Sequence, residues 1–168
     1  IFVANFTSMN DDFKMVATTM FGLESVLAKE LTNLGAKDVT EAVRSVSFKG
    51  DTGFLYKANI ALRTAIRILK PIKVTKIYDE EDLYDAVKKV KWEKYLDIDG
   101  TFAIGAVSNS VNLPNHSHYI ALKSKDAIAD YFRDKFGKRP DVDVAYPDLK
   151  IHIHIKNDYL TISLDSSG

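Results

Sequence analysis

The 168-residue chain reads as an α+β protein. Two observations carry that reading. Helical runs with apolar residues three and four apart alternate with short β-prone runs, ordered β-α-β-β-α-β and then α-β-α-β-β. Apolar residues make up 46% of the chain and aromatics 11%, enough for a real core.

Residues 1–12 show no period. Met15, Ala17, Thr19 and Phe21 open a β-prone run, and a helix is predicted from Gly22 to Leu34. Its buried face is Leu23, Val26, Leu27, Leu31 and Leu34, and Gly35 ends it. Val39–Val43 and Val46–Lys49 form a hairpin turning near Arg44–Ser45. Asp51 or Thr52 caps a second helix with Phe54, Leu55, Ala58, Leu62 and Ala65 inward. Arg67–Ile77 is a strand whose Pro71 points to an edge or a bulge. This order is the split βαβ arrangement of ferredoxin-like domains.

Asp79 caps a helix running to Lys91, with Leu83, Ala86, Val87 and Val90 inward. Thr101–Val107 is apolar throughout, which predicts a central strand buried on both faces. Ser108–His118 is a polar loop, and Tyr119–Phe136 a helix ended by Gly137. Lys150–Lys156 and Tyr159–Leu164 flank Asn157–Asp158, a tight-turn dipeptide. No low-complexity tract or Gly/Ser linker separates the halves. The expected domains are 13–66 and 67–168.

Composition excludes several classes. The chain has 23 basic and 23 acidic residues, so it is not a uniformly basic nucleic-acid binder. It has no cysteine, which removes disulfides, thiolate metal sites and cysteine nucleophiles. No apolar run approaches the roughly 18–20 residues that span a bilayer, so a soluble intracellular, cytoplasmic protein without a membrane partner is expected.

Local charge is uneven. Between Pro114 and Arg139 stand six basic residues (Lys123, Lys125, Arg133, Lys135, Lys138, Arg139) and three acidic ones (Asp126, Asp130, Asp134), with His116 and His118 beside them. Cations near both ends of one helix suit a phosphate backbone; a solvated helix face is the plainer reading. Lys88, Lys89, Lys91 and Lys94 surround Trp92 and Tyr95, which serve as base platforms or, more simply, as packing anchors. His152 and His154 alternate with Ile151, Ile153 and Ile155. That period sets the isoleucines inward and Lys150, His152, His154 and Lys156 outward, without enough ligands for zinc.

No motif for chemistry is present: no glycine-rich nucleotide turn, no phosphate-binding loop and no nucleophile elbow. Asp79, Glu80, Glu81 and Asp82 sit at a helix start, where the dipole accounts for them.

The succession of short motifs is specific. Phe21-Gly22-Leu23-Glu24, Leu34-Gly35-Ala36, Val46-Ser47-Phe48-Lys49-Gly50-Asp51 and Leu62-Arg63-Thr64-Ala65 come first. Tyr78-Asp79, Asp82-Leu83-Tyr84, Trp92, Thr101-Phe102-Ala103 and Leu122-Lys123-Ser124-Lys125-Asp126-Ala127-Ile128 follow. Arg139-Pro140-Asp141-Val142-Asp143 and Leu164-Asp165-Ser166-Ser167-Gly168 complete the series. From Lys14 to Gly168 the chain resembles the amino-terminal region of bacterial THUMP-domain ribosomal RNA methyltransferases. Large-subunit rRNA guanine-N2 enzymes, often labelled adenine-specific DNA methylases, look most alike.

The resemblance implies a ferredoxin-like domain joined to a THUMP domain that binds structured RNA, most specifically large-subunit rRNA. It also implies a Rossmann-like catalytic domain farther along the same polypeptide. The cofactor of that parent enzyme is S-adenosylmethionine; none is expected in this fragment, nor is catalysis. The expected RNA contacts are Asn112, His116, Lys123, Ser124, Lys125, Lys138 and Arg139. The alternative is a ferredoxin-like small-molecule sensor or protein-docking domain.

Overall fold

The computed structural model describes residues 11–110, 113 and 116–167. They fall into two compact units, one of residues up to Pro71 together with Asp165–Ser167, the other of Ile72–Leu164.

The first unit begins with β1 (Phe13–Thr18) and α1 (Glu24–Leu34). It continues through β2 (Lys37–Ala42), β3 (Ser45–Gly50) and α2 (Thr52–Ala61) into the first residues of β4 (Arg67–Lys76). Its strands run β2-β3-β1-β4, all neighbours antiparallel, with Met15 opposite Phe48 and Ala17 opposite both Val46 and Ile68. This is the ferredoxin-like order. Gly35 takes φ 103°, the left-handed turn that ends α1, and its N–H bonds Thr32 O. Asp51 caps α2 by accepting the Phe54 N–H at 2.8 Å. Leu27 and Leu31 of α1 and Leu55 and Ala58 of α2 pack over Met15, Ala17, Val46, Phe48 and Ile68. Pairing of β4 with β1 ends at Leu69, two residues before Pro71, which has no N–H to donate. Asp165–Ser167 lies along β4. The Ser166 N–H and hydroxyl both donate to Ile68 O, at 3.0 and 2.8 Å, and the Ser167 hydroxyl accepts the Ile68 N–H at 2.8 Å.

The second unit takes the rest of β4, then α3 (Glu80–Lys88), a 3-10 turn (Trp92–Lys94) and β5 (Thr101–Asn109). α4 (Ser117–Phe136), β6 (Asp141–Val142), β7 (Leu149–Lys156) and β8 (Tyr159–Asp165) follow. Strand order is β4-β8-β7-β5-β6, with β5 parallel to both β7 and β6. Asp79 caps α3, and three acidic residues fill its first turn. Ile151, Ile153 and Ile155 of β7 and Leu160, Ile162 and Leu164 of β8 meet Leu83, Val87, Ile120, Ile128 and Phe132 of the helices.

Two expectations are corrected. β5 is not buried on both faces: only Phe102 is buried, and Gly105, Val107 and Asn109 are exposed. Its residues facing the core meet the helices, while the opposite face lies open. The helix predicted to Lys91 ends at Lys88, where the chain tightens into the 3-10 turn that buries Trp92.

Candidate nucleic-acid interface

The polar loop and long helix singled out by the sequence meet at the carboxyl end of β5. Asn109 ends that strand beside the end of β7, with the Asn157 N–H donating to Asn109 O at 3.2 Å. The chain then turns into α4, a twenty-residue helix. His116 stands before its first turn, exposed, its backbone extended and its ring making no capping bond. The first turn carries no acidic residue, in contrast to α3 with its three. Free N–H groups at a helix start carry about half a positive charge and suit an anion.

The expected contact residues are scattered along this helix. His116 lies at its start, and Asn112 falls outside the described residues. Lys123 leans toward α3, its Nζ 3.5 Å from Glu81 and 5.7 Å from the Tyr84 ring centre. Partial burial pulls its ammonium pKa down, but Glu81, by charge and hydrogen bond, together with Tyr119 and Glu80 raises it overall. Lys125 is paired with neighbouring Asp126 at 3.6 Å. Ser124, between them, is fully buried with Ile120, Ala127 and Ile128, because steps of 100° per residue turn it to the core. It cannot touch RNA on the outer surface; this expectation is corrected. Lys138 reaches Asp99 at 3.2 Å, and Arg139 is half-buried past the helix end. Twenty residues at about 1.5 Å each separate them from His116 by roughly 30 Å.

Counting charge along the helix segment overstates it. Glu81, Glu93 and Asp99, all outside that segment, pair with Lys123, Lys135 and Lys138. Arg133 pairs with Asp130, and Lys88 of α3 takes Asp134 at 2.7 Å. The α3–α4 seam also holds a Tyr84 hydroxyl donating to Asp130, while Tyr131 donates to Glu93. Partial burial pushes the Glu93 carboxyl up, yet Lys135 and Tyr131 overcome this and hold it at about 2.

The second aromatic–lysine cluster is structural. Trp92 is fully buried, donates its Nε1–H to Val87 O at 2.8 Å and meets Tyr95 edge-on. A ring so placed is an anchor and cannot stack on a base. His152 and His154 stack on each other with ring centres 6.5 Å apart. Among the described residues, no group of three or more histidine, aspartate or glutamate side chains could hold a metal.

Sequence reasoning missed the unblocked start of α4, although its acid-free first turn was readable.

Comparison with known proteins fits this architecture. The THUMP domain model matches residues 78–165, and the RlmL ferredoxin-like domain model matches 14–69. The chain is 39% identical over 160 residues to a ribosomal RNA large subunit methyltransferase K/L of Syntrophotalea carbinolica, covering 95% of this chain and 22% of that protein. Its counterpart in Hydrogenovibrio crunogenus is 37% identical over 155 residues, covering 92% and 21%. The chain thus spans between about a fifth and two fifths of the length of the curated relatives it matches. A solved structure from Listeria monocytogenes, described as a predicted N6-adenine-specific DNA methylase, superposes with TM-score 0.75 at 27% identity, covering 92% of this chain and 40% of that one. With its second unit matched from Tyr78 to Asp165 and a ferredoxin-like unit ahead of it, the chain belongs to the THUMP domain family.

Proposed function

We propose that this chain is the RNA-holding part of a longer S-adenosylmethionine-dependent methyltransferase that modifies a guanine of large-subunit ribosomal RNA in the cytoplasm. The observation behind this reading is the succession of an RlmL ferredoxin-like domain and a THUMP domain, shared with longer relatives named for large-subunit rRNA methylation. The cofactor supplies the methyl group in such a reaction. Its cradle does not fit this chain: the strand-to-helix junction with two glycines, Gly50 and Gly53, has Gly50 packed against the Phe54 ring and Asp51 spent on capping α2, while Gly22, Gly35 and Gly137 stand singly at helix ends. The cofactor therefore belongs to a catalytic domain in the same polypeptide.

The start of α4 receives the RNA. A phosphate sits against its free N–H groups, with His116 at the edge and Lys123 and Lys125 along the first half of the helix. Lys138 and Arg139 form a second contact about one helix length away. Backbone contacts dominate, because a paired RNA hides its base edges. A small-molecule sensor gains no support from the one cavity described in the first unit. The cavity between α2 and β4, lined by Ala58, Asn59, Leu62 and Ile66, holds about 80 Å³, whereas ligand sites hold roughly 300–1,000 Å³.

Filter binding to an rRNA hairpin over a salt series tests this reading. Each neutralised phosphate contributes roughly 0.7–0.9 to the log–log slope. His116→Ala with Lys125→Ala should flatten the slope and weaken binding whatever the RNA sequence. An unchanged slope would remove the start of α4 from the interface.

A further inference from the structure

Among the described residues, the end of the second unit's sheet that carries Lys76, Tyr159, Lys156 and Asn109 is exposed on the face turned away from α3 and α4, and one row of side chains crosses it. Lys156 at the end of β7 stands directly opposite Asn109 at the end of β5. Across the Asn157–Asp158 turn, Lys156 is matched by Tyr159, the first residue of β8. The Ile77 N–H donates to Asp158 O at 2.8 Å, which brings Lys76 of β4 beside Tyr159. The row is thus Lys76, Tyr159, Lys156, Asn109: cation, ring, cation, amide. At about 4.8 Å per strand it crosses about 14 Å of the sheet.

Alternation puts these residues on the open face. Their neighbours Ile77, Leu160 and Ile155 are all buried under the helices. Tyr159 is 55% exposed and Tyr78, just past Lys76, is 60% exposed, with the Lys76 Nζ 5.2 Å from the Tyr78 ring centre. The row behind, Val74, Thr161, His154 and Val107, continues the platform; Val74 and Val107 are exposed, and the other two are half-buried. Asp158 in the turn adds one negative charge near Lys76.

We propose that this row binds a single-stranded segment of RNA, an unpaired base stacking on Tyr159 while Lys156 and Lys76 hold the flanking phosphates. An exposed ring offers its face to any base, and flanking ammonium groups suit the backbone on either side. Paired bases in a helix are closed to such a ring, so the site selects unpaired nucleotides. The proposal rests on the RNA-binding reading above and adds a second surface, separate from the start of α4.

Fluorescence anisotropy with two probes, a labelled oligouridylate and a blunt, fully paired two-strand RNA duplex, tests it on the whole chain. Tyr159→Ala should weaken oligouridylate binding roughly ten-fold or more while leaving duplex binding unchanged. Tyr159→Phe should bind like the parent, since the ring and not the hydroxyl does the stacking. Lys156→Glu should weaken oligouridylate binding and reduce its salt dependence. Tyr159 is exposed, so far-ultraviolet dichroism should show an intact fold. The platform is overturned if Tyr159→Ala leaves oligouridylate binding intact or weakens both probes equally. Binding of the duplex alone by the parent protein overturns the platform and spares the RNA reading; binding of neither probe overturns both.

Discussion

The carboxylate of Glu24 accepts the backbone N–H of Arg44 at 2.9 Å, joining the first turn of α1 to the β2–β3 hairpin turn twenty residues away. Its other oxygen accepts the Gly22 N–H at 2.8 Å. Arg44 sits at φ 58°, so the bond holds a residue that is not glycine in the left-handed region. These backbone donors, Arg44 first, pull the Glu24 pKa below the ordinary carboxylate value. Its stabilising contribution is therefore complete above about pH 4.5 and is lost as pH falls through the lowered value. Glu24→Gln should speed exchange of the Arg44 and Gly22 amides without unfolding α1. Unchanged protection of both amides in hydrogen-exchange spectra would show that the bridge is not what orders the turn.

Glu93 gives a second acid-sensitive contact. With the folded carboxyl at about 2 and the unfolded one at 4.5, its contribution is present above pH 4.5 and fades toward pH 2. Surface screening limits its worth to about 1 kcal/mol. Glu93→Gln should lower stability by about that much at pH 7 and make the urea midpoint less steep in pH between those values. Parallel pH profiles for variant and parent would contradict the assignment.

His154 works in the same direction near neutrality. Burial, and then the Lys156 charge, lower its pKa below 6.5. The unfolded chain therefore takes up a proton first as pH falls, and stability declines below about pH 6.5 through the lowered folded value. His154→Gln should remove that part of the decline, as followed by thermal melts at pH 7 and pH 5.

Trp92 packs at zero exposure with its indole N–H satisfied by Val87 O. Trp92→Phe leaves that carbonyl with only the Val90 N–H at 3.3 Å and opens space beside Tyr95, at a cost of about 2–3 kcal/mol. Urea unfolding followed by dichroism measures it. RNA affinity should not change once folding is accounted for, since the ring is inside.

Ser124 gives a prediction of opposite sign. Its hydroxyl is buried with no hydrogen-bond partner among the described residues. Removing an unpaired buried hydroxyl relieves a desolvation cost of about 1–3 kcal/mol, offset by the small loss of volume. Ser124→Ala should be as stable as the parent or more so, and should bind the rRNA hairpin equally well. A drop in hairpin affinity alone would return Ser124 to the interface.

Much of this was legible along the chain because it depends on neighbours in sequence. Apolar spacing marked Leu23, Val26, Leu27, Leu31 and Leu34 as the buried face of α1, of which Leu27 and Leu31 are buried and Val26 is exposed; Gly35 and Gly137 marked helix ends, and Asp51 and Asp79 marked helix starts. The alternation in Ile151–Ile155 told which face of β7 is buried. What failed depended on residues distant in sequence. The apolar run of β5 suggested burial on both sides, but whether a second layer covers the outer face is decided by where α3 and α4 pack. The count of cations along the α4 segment overstated its free charge, because Glu81, Glu93 and Asp99 from elsewhere in the chain pair with Lys123, Lys135 and Lys138. Ser124 looked like a contact between two lysines, although helical rotation points it into the core. Only the strand order sets Lys76, Tyr159, Lys156 and Asn109 in one row, because hydrogen bonds between strands take no account of distance along the chain.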